Sequence, residues 1–183
     1  MKKANIVFLS FFILVCSNIL YGQHYQLVEN ASSVKISVRN AGMEIEGKLT
    51  GLDGEIFFNQ ADLKSSSFSV SVDANTINTG IDVRDKNLRG DEYLDTKKFP
   101  RISFVSKQII AGNKPNTYSV KGTITIKGIS KDIMFPFTAV AKNDGLLFTG
   151  EFKVYRLDFK IGVGSLVISD NMIVSLSVFT KKS

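Results

Sequence analysis

The chain is poor in the residues that build most catalytic and metal centres. Among 183 residues it has one cysteine, Cys16, one histidine, His24, no tryptophan and three prolines. Cys16 falls in the N-terminal leader described below. The body therefore has no thiol for a disulfide, a thiolate nucleophile or a Cys-based metal site. His24 stands alone near the start of the body, where order is least expected, so no Ser-His or Cys-His pair can be built on the folded part. His/Cys metal spacing is excluded for the same reason. Gly162-Val163-Gly164 has no third glycine at nucleotide-loop spacing and opens no helix. The sequence assigns no catalytic residue and no metal ligand, and it implies no cofactor.

Long apolar runs are also lacking after residue 22. Lys2-Lys3 begin a segment that turns apolar over residues 6–15 and then small or polar at Ser17, Asn18 and Gly22. That order reads as a secretory signal peptide over residues 1–22; its apolar run, residues 6–15, is too short to cross a membrane, which takes about 20 apolar residues. Cleavage is expected after Gly22, leaving Gln23 first, with Ser17 as the alternative. Leu14-Val15-Cys16 makes a poor lipoprotein box, because Val15 stands where a small residue is needed. The expectation is an exported protein, periplasmic or secreted, with residues 23–183 forming one domain large enough to fold on its core alone.

Without Lys2 and Lys3 the chain carries 21 basic and 17 acidic residues, interspersed, with local clusters only at Lys97-Lys98 and Lys181-Lys182. No basic stripe interleaves with aromatics, which argues against a nucleic-acid partner. Transient contact with an anionic membrane surface, and a homodimer, both stay open.

What is present is alternation. Apolar residues recur at every second position over 34–38, 45–49, 55–59, 67–72, 102–109, 117–126, 133–140, 146–154 and 173–179. Asp53-Gly54, Gly112-Asn113, Lys127-Gly128 and Asn143-Asp144-Gly145 read as turns between them. The pattern predicts an all-β fold of about eight antiparallel strands; pattern alone leaves barrel and sandwich open. Ile45, Leu49, Phe58, Phe68, Val70, Phe104, Val120, Ile124, Phe137, Phe148 and Phe152 fall on faces expected to point inward. Gly47, Gly122 and Gly150 interrupt the same faces in mid-strand, where glycine marks either a bend or the close approach of a ligand. These fourteen residues are the candidate lining of an apolar tunnel. A filled core, with the glycines as kinks, is the competing reading.

Residues 79–106 break the alternation. Ile81, Arg84, Leu88 and Leu94 can form an apolar stripe on one or two helical turns, and Phe99-Pro100 ends the segment before a new strand. Asp82, Asp85, Asp91, Glu92 and Asp95 crowd here. Paired carboxylates can serve acid–base or glycosidase chemistry or hold a hard cation. A solvated insert whose acids pair with Arg84, Lys86, Arg89 and Lys97 is the simpler reading. Arg84 with Asp85, and Arg156 with Asp158, are expected to pin the insert and the last hairpin as ion pairs.

Thr79-Gly80, Arg84-Asp85, Leu88, Asp91, Tyr93, Asp95, Phe99-Pro100, Ile102, Phe104 and Ser106 resemble, in order and spacing, the signature of the YceI-like family. The likeness continues through Tyr118, Val120, Gly122, Thr123, Ile124, Gly128, Gly150, Phe152 and Arg156 with Asp158-Phe159. The resemblance implies a single up-and-down, lipocalin-like β-barrel with a short helical insert. It also implies non-catalytic binding of a long isoprenoid chain, such as a quinone tail or polyprenyl phosphate, inside that barrel. On this view Arg84, Asn87 and Arg89 would meet a polar head at the mouth. The family pattern has a histidine where this chain has Asn87, and another where it has Asn40. Asparagine does not titrate near neutrality, so a histidine-dependent head-group contact, metal or pH response is not carried over. Two other classes stay open: an enzyme using the insert carboxylates, and a packed barrel acting through its surface as a stress or partner-binding protein.

Overall fold

A computed structural model describes residues 23–183. The expected leader, its cleavage point and Cys16 lie outside the described residues. The strands are β1 (Gln23–Leu27), β2 (Ser33–Asn40), β3 (Met43–Phe58), β4 (Ser67–Asn78), β5 (Arg101–Ala111), β6 (Thr117–Ile126), β7 (Ile129–Lys142), β8 (Gly145–Tyr155) and β9 (Ile168–Lys182). One α-helix, α1 (Asp82–Arg89), lies between β4 and β5 among the described residues.

The antiparallel sheet runs β1-β3-β2-β9-β8-β7-β6-β5-β4, and β4 pairs back onto β3. The sheet is thus a closed barrel with no free edge. It has eight staves because β1 and β2 share one. Both pair with β3 and β9: β1 near Ile56 and Lys182, β2 near Leu49 and Leu176. A single 3₁₀ turn, Glu29–Ala31, breaks this stave in the middle. The expected barrel of about eight strands with a short helical insert is the observed fold.

Two local expectations need correction. His24 was expected to be poorly ordered, but it sits in β1 opposite Phe57, the two rings 5.0 Å apart. Asp53-Gly54, a turn by its residue types, lies inside β3. The β3–β4 register shifts between Thr50 and Asp53, and Gly51 and Gly54 have φ of +69° and +129°. This bulge bends the strand without reversing it and flips the alternation. Leu49 is buried before it; Ile56 and Phe58 are buried after it. True two-residue hairpin turns occur at Ala41-Gly42 and Lys127-Gly128. All four residues have positive φ, the geometry that matches strand twist.

The barrel has two distinct ends. One carries the β2–β3 turn, α1 and its continuation to Pro100, the β6–β7 turn and the β8–β9 connection. The other carries Gln23, Ser183 and the remaining turns. Inside, one cluster toward the far end contains Phe58, Phe68, Tyr118, Val120, Phe137 and Phe148. A second, toward the helix end, contains Leu49, Val72, Ile77, Leu94, Ile126 and Phe159.

Candidate functional site: an apolar cavity between two packed clusters

The space between the clusters is a cavity of about 130 Å³. Its walls come from every stave. Six phenylalanines line it: Phe68, Phe104, Phe135, Phe137, Phe148 and Phe152. Alternation places these side chains inward, and the rings then settle on one another. Phe135 and Phe152 stack with centroids 4.4 Å apart, and Phe104 lies 5.4 Å from Phe135. Aliphatic side chains complete the wall, including Val34, Ile56, Val72, Val174 and Val178. Val70, Ile102, Phe104, Phe152, Leu176 and Val178 face this space and are only half-buried. Such a surface offers almost nothing to hydrogen-bond, so what it can do chemically is hold hydrocarbon away from water.

Nine of the fourteen candidate tunnel residues border the cavity: Phe68, Val70, Phe104, Val120, Ile124, Phe137, Phe148, Gly150 and Phe152. Five do not: Ile45, Gly47, Leu49, Phe58 and Gly122. Leu49 and Phe58 are buried in the two flanking clusters. Gly47 and Gly122 do not open space. The side chain of Ile77 covers Gly47, and the ring of Phe104 lies directly on Gly122, together with the Val105 carbonyl. Gly150 alone of the three borders the cavity; a Cβ there would lie 3.2 Å from the Pro136 carbonyl oxygen and 3.6 Å from Phe135. The remaining lining, notably Phe135 and the β9 residues Val174, Leu176 and Val178, was legible as alternation but not as part of this space.

The three expected head-group residues lie at the helix end, away from this cavity lining. Arg84 donates from Nε to Thr79 Oγ1 (2.7 Å) and from Nη2 to the Thr79 carbonyl (3.0 Å). Arg89 donates to the carbonyls of Asn75 (2.7 Å) and Ile77 (2.8 Å). Both guanidinium groups therefore stitch α1 to the end of β4, because their donors are taken up by the chain itself. Asn87 is exposed on α1.

Of the insert carboxylates, Asp85 and Asp95 are placed for structure, and the expected ion pairs with Lys86 and Lys97 do not form among the described residues. Asp85 is the buried residue of α1, 4% exposed, whereas Ile81 of the expected apolar stripe is half exposed. Asp85 accepts from the Thr79 hydroxyl and from the Thr79 amide (2.9 Å). These bonds, chiefly the hydroxyl's, hold its carboxyl below the ordinary range, helped by Arg89 and Arg84. The expected Arg84–Asp85 pair is thus mediated by Thr79. Of the other acids, Asp95 faces Lys98 at 3.9 Å. Lys127 donates to the backbone carbonyls of Asp91 (2.6 Å), Glu92 (3.3 Å) and Lys160 (2.8 Å). Arg156 also differs from expectation: it is buried and pairs with Asp170 at 2.9 Å, not with Asp158, while donating to the Ile161 and Ser169 carbonyls. Together these contacts tie α1, the β6–β7 turn and the β8–β9 connection to their neighbours at the helix end.

Comparison with known proteins bears on this arrangement. The sequence profile of the YceI-like domain matches residues 25–179. A UPF0312 protein of Shewanella denitrificans is 24% identical over 142 residues, covering 73% of this chain and 74% of that protein. A UPF0312 protein of Vibrio cholerae is 30% identical over 105 residues, 56% of this chain and 54% of its own length. Among solved structures, BcnA of Burkholderia cenocepacia superimposes with a TM-score of 0.80 at 22% identity, over 84% of this chain and 99% of that one. A polyisoprenoid binding domain from Saccharophagus degradans gives a TM-score of 0.71 at 16% identity, over 88% and 99%.

Proposed function

The chain belongs to the YceI-like family, and we propose that it is a lipid-binding protein that holds an apolar, isoprenoid-type chain in the barrel cavity without transforming it. The observation that carries this reading is the cavity itself: a space in mid-barrel walled almost wholly by hydrocarbon and bordered by six phenylalanines. The polyisoprenoid binding domain from Saccharophagus degradans shares the fold, which supports an isoprenoid over other lipids. The leader-like residues 1–22 support an exported carrier that meets its ligand at a membrane.

The energetics are sufficient. An empty cavity of about 130 Å³ costs about 3 kcal/mol at about 24 cal/mol per Å³, and an occupant recovers part of that. Each buried carbon contributes about 0.8 kcal/mol, so one five-carbon isoprene unit contributes about 4 kcal/mol. Two buried units reach about 8 kcal/mol, which is micromolar affinity before the costs of ordering. The resting cavity is close in size to the engineered apolar cavities that accept one benzene. A chain of several units therefore requires the phenylalanine rings to turn aside. That small volume is also the one observation favouring the alternative, a packed barrel acting through its outer surface.

Titration with the fluorescent apolar amine N-phenyl-1-naphthylamine separates the two. The lipid-binding reading expects saturable blue-shifted fluorescence at one site per chain, displaced by a short polyprenol. It also expects Gly150→Leu, which projects into the cavity, to weaken binding at least about tenfold. No saturable signal, or a signal indifferent to Gly150→Leu, supports the packed barrel.

A further inference from the structure

We infer that β1 is the removable part of the barrel wall: Gln23–Leu27 peels away from β3 and β9 to admit an apolar chain to the cavity and re-pairs behind it. The inference rests on the reading of the cavity as a lipid site, and it names the route to that site.

In the far half of the barrel β1 alone bridges β3 and β9. It does so through three residue pairs on each side, Gln23 to Tyr25 against β3 and Tyr25 to Leu27 against β9. By contrast, β8 and β9 are joined through eleven. Taking β1 away opens a slot two strand spacings wide, about 9–10 Å, which passes a hydrocarbon chain. Ile56 on β3, opposite Tyr25, borders that slot and lines the cavity. Opening the slot lifts Tyr25 out of the far cluster, and the way to the cavity then runs along Ile56.

β1 is also lightly held. Its one buried anchor, Tyr25, packs edge-on to Phe148. Its hydroxyl donates only to Gln23, on β1 itself, at 3.5 Å, so it ties nothing to the barrel. Immediately after β1 the chain is firmly fixed. The Val28 amide donates to the Phe179 carbonyl (3.0 Å), and the Phe179 amide donates to Ser32 Oγ (3.0 Å). That is a hinge at residues 28–32, directly after the five residues of β1. The helix end is the opposite case, since Arg84, Arg89, Lys127 and Arg156 all bind it down. Elements that move for ligand access are drawn from the weakly protected part of a fold.

The test is a reversible staple on β1. In a Cys16→Ser background, His24→Cys with Phe57→Cys places two thiols at a cross-strand pair on the outer face. The oxidised protein then holds β1 at the staple and at the hinge. Stopped-flow uptake and release of N-phenyl-1-naphthylamine should both slow at least about tenfold on oxidation and recover on reduction, with equilibrium affinity little changed. Equal rates in the oxidised and reduced forms overturn the inference. No uptake by the unstapled protein overturns the lipid-site reading, and the gate with it. A second measurement needs no disulfide: in the unsubstituted protein the β1 amides should exchange with deuterium at least about a hundredfold faster than those of β8. Equal protection of the two strands overturns the inference as well.

Discussion

Consider an alanine placed at each of two inward-facing glycines, Gly122 on β6 and Gly150 on β8. At Gly122 the new Cβ collides with the ring tip of Phe104 and lies 2.5 Å from the Val105 carbonyl oxygen. The ring can turn, but the carbonyl belongs to a paired strand and cannot. Overpacking of this kind costs about 1–3 kcal/mol. Replacing a mid-strand glycine returns about 0.5–1 kcal/mol. The net expectation is a loss of about 1–2 kcal/mol, which in a domain of this size lowers the melting temperature by about 2–8 °C. At Gly150 the nearest atoms are 3.2, 3.4 and 3.6 Å away, so contact is close but tolerable. The glycine term then dominates, and Gly150→Ala should be neutral or stabilising by about 0.5 kcal/mol. Thermal melting and urea unfolding of the two variants read the difference directly. A Gly122→Ala variant as stable as the parent would refute the argument that Phe104 fills that site. A Gly150→Ala variant that loses as much as Gly122→Ala would refute the claim that only Gly150 borders free space.

Asp85 gives a pH-dependent prediction. Its carboxyl is held low in the folded state, so its contribution to stability is complete above the ordinary carboxylate value of about 4 and drains away as pH falls from there through the lowered value. Urea unfolding of Asp85→Asn across the acid range should show a shallower decline than the parent; superimposable declines would contradict the assignment. Arg89→Ala should loosen the insert, with a drop of a few degrees in melting temperature, yet leave N-phenyl-1-naphthylamine affinity within about threefold, since its donors go to the carbonyls of Asn75 and Ile77. A large loss of affinity with an unchanged melting temperature would return Arg89 to the head-group role.

The barrel was legible because period-2 alternation survives in nearly every strand and because short turns force antiparallel neighbours. The failures share one cause, which is that registry between strands is invisible in a single sequence. Asp53-Gly54 looks like a turn, but a bulge carries β3 through it. Gly47 and Gly122 look like vacancies on their own strands; whether a side chain from the neighbouring strand fills them depends on registers that bulges reset. Ile77 and Phe104 fill them. Arg156 found Asp170 instead of Asp158 because the β8–β9 connection folds back. By its resemblance the sequence points to Arg84 and Arg89 as head-group contacts at a mouth. Nothing in the sequence signalled the open carbonyls at the end of β4 that take their donors.

Native mass spectrometry of the protein, expressed in a bacterium and purified without detergent, tests the central claim most directly. The lipid-binding account predicts a one-to-one adduct that survives gel filtration, is removed by organic solvent and is displaced by a polyprenol. A chain that is uniformly empty, and stays empty after incubation with polyprenols and quinones, would contradict it.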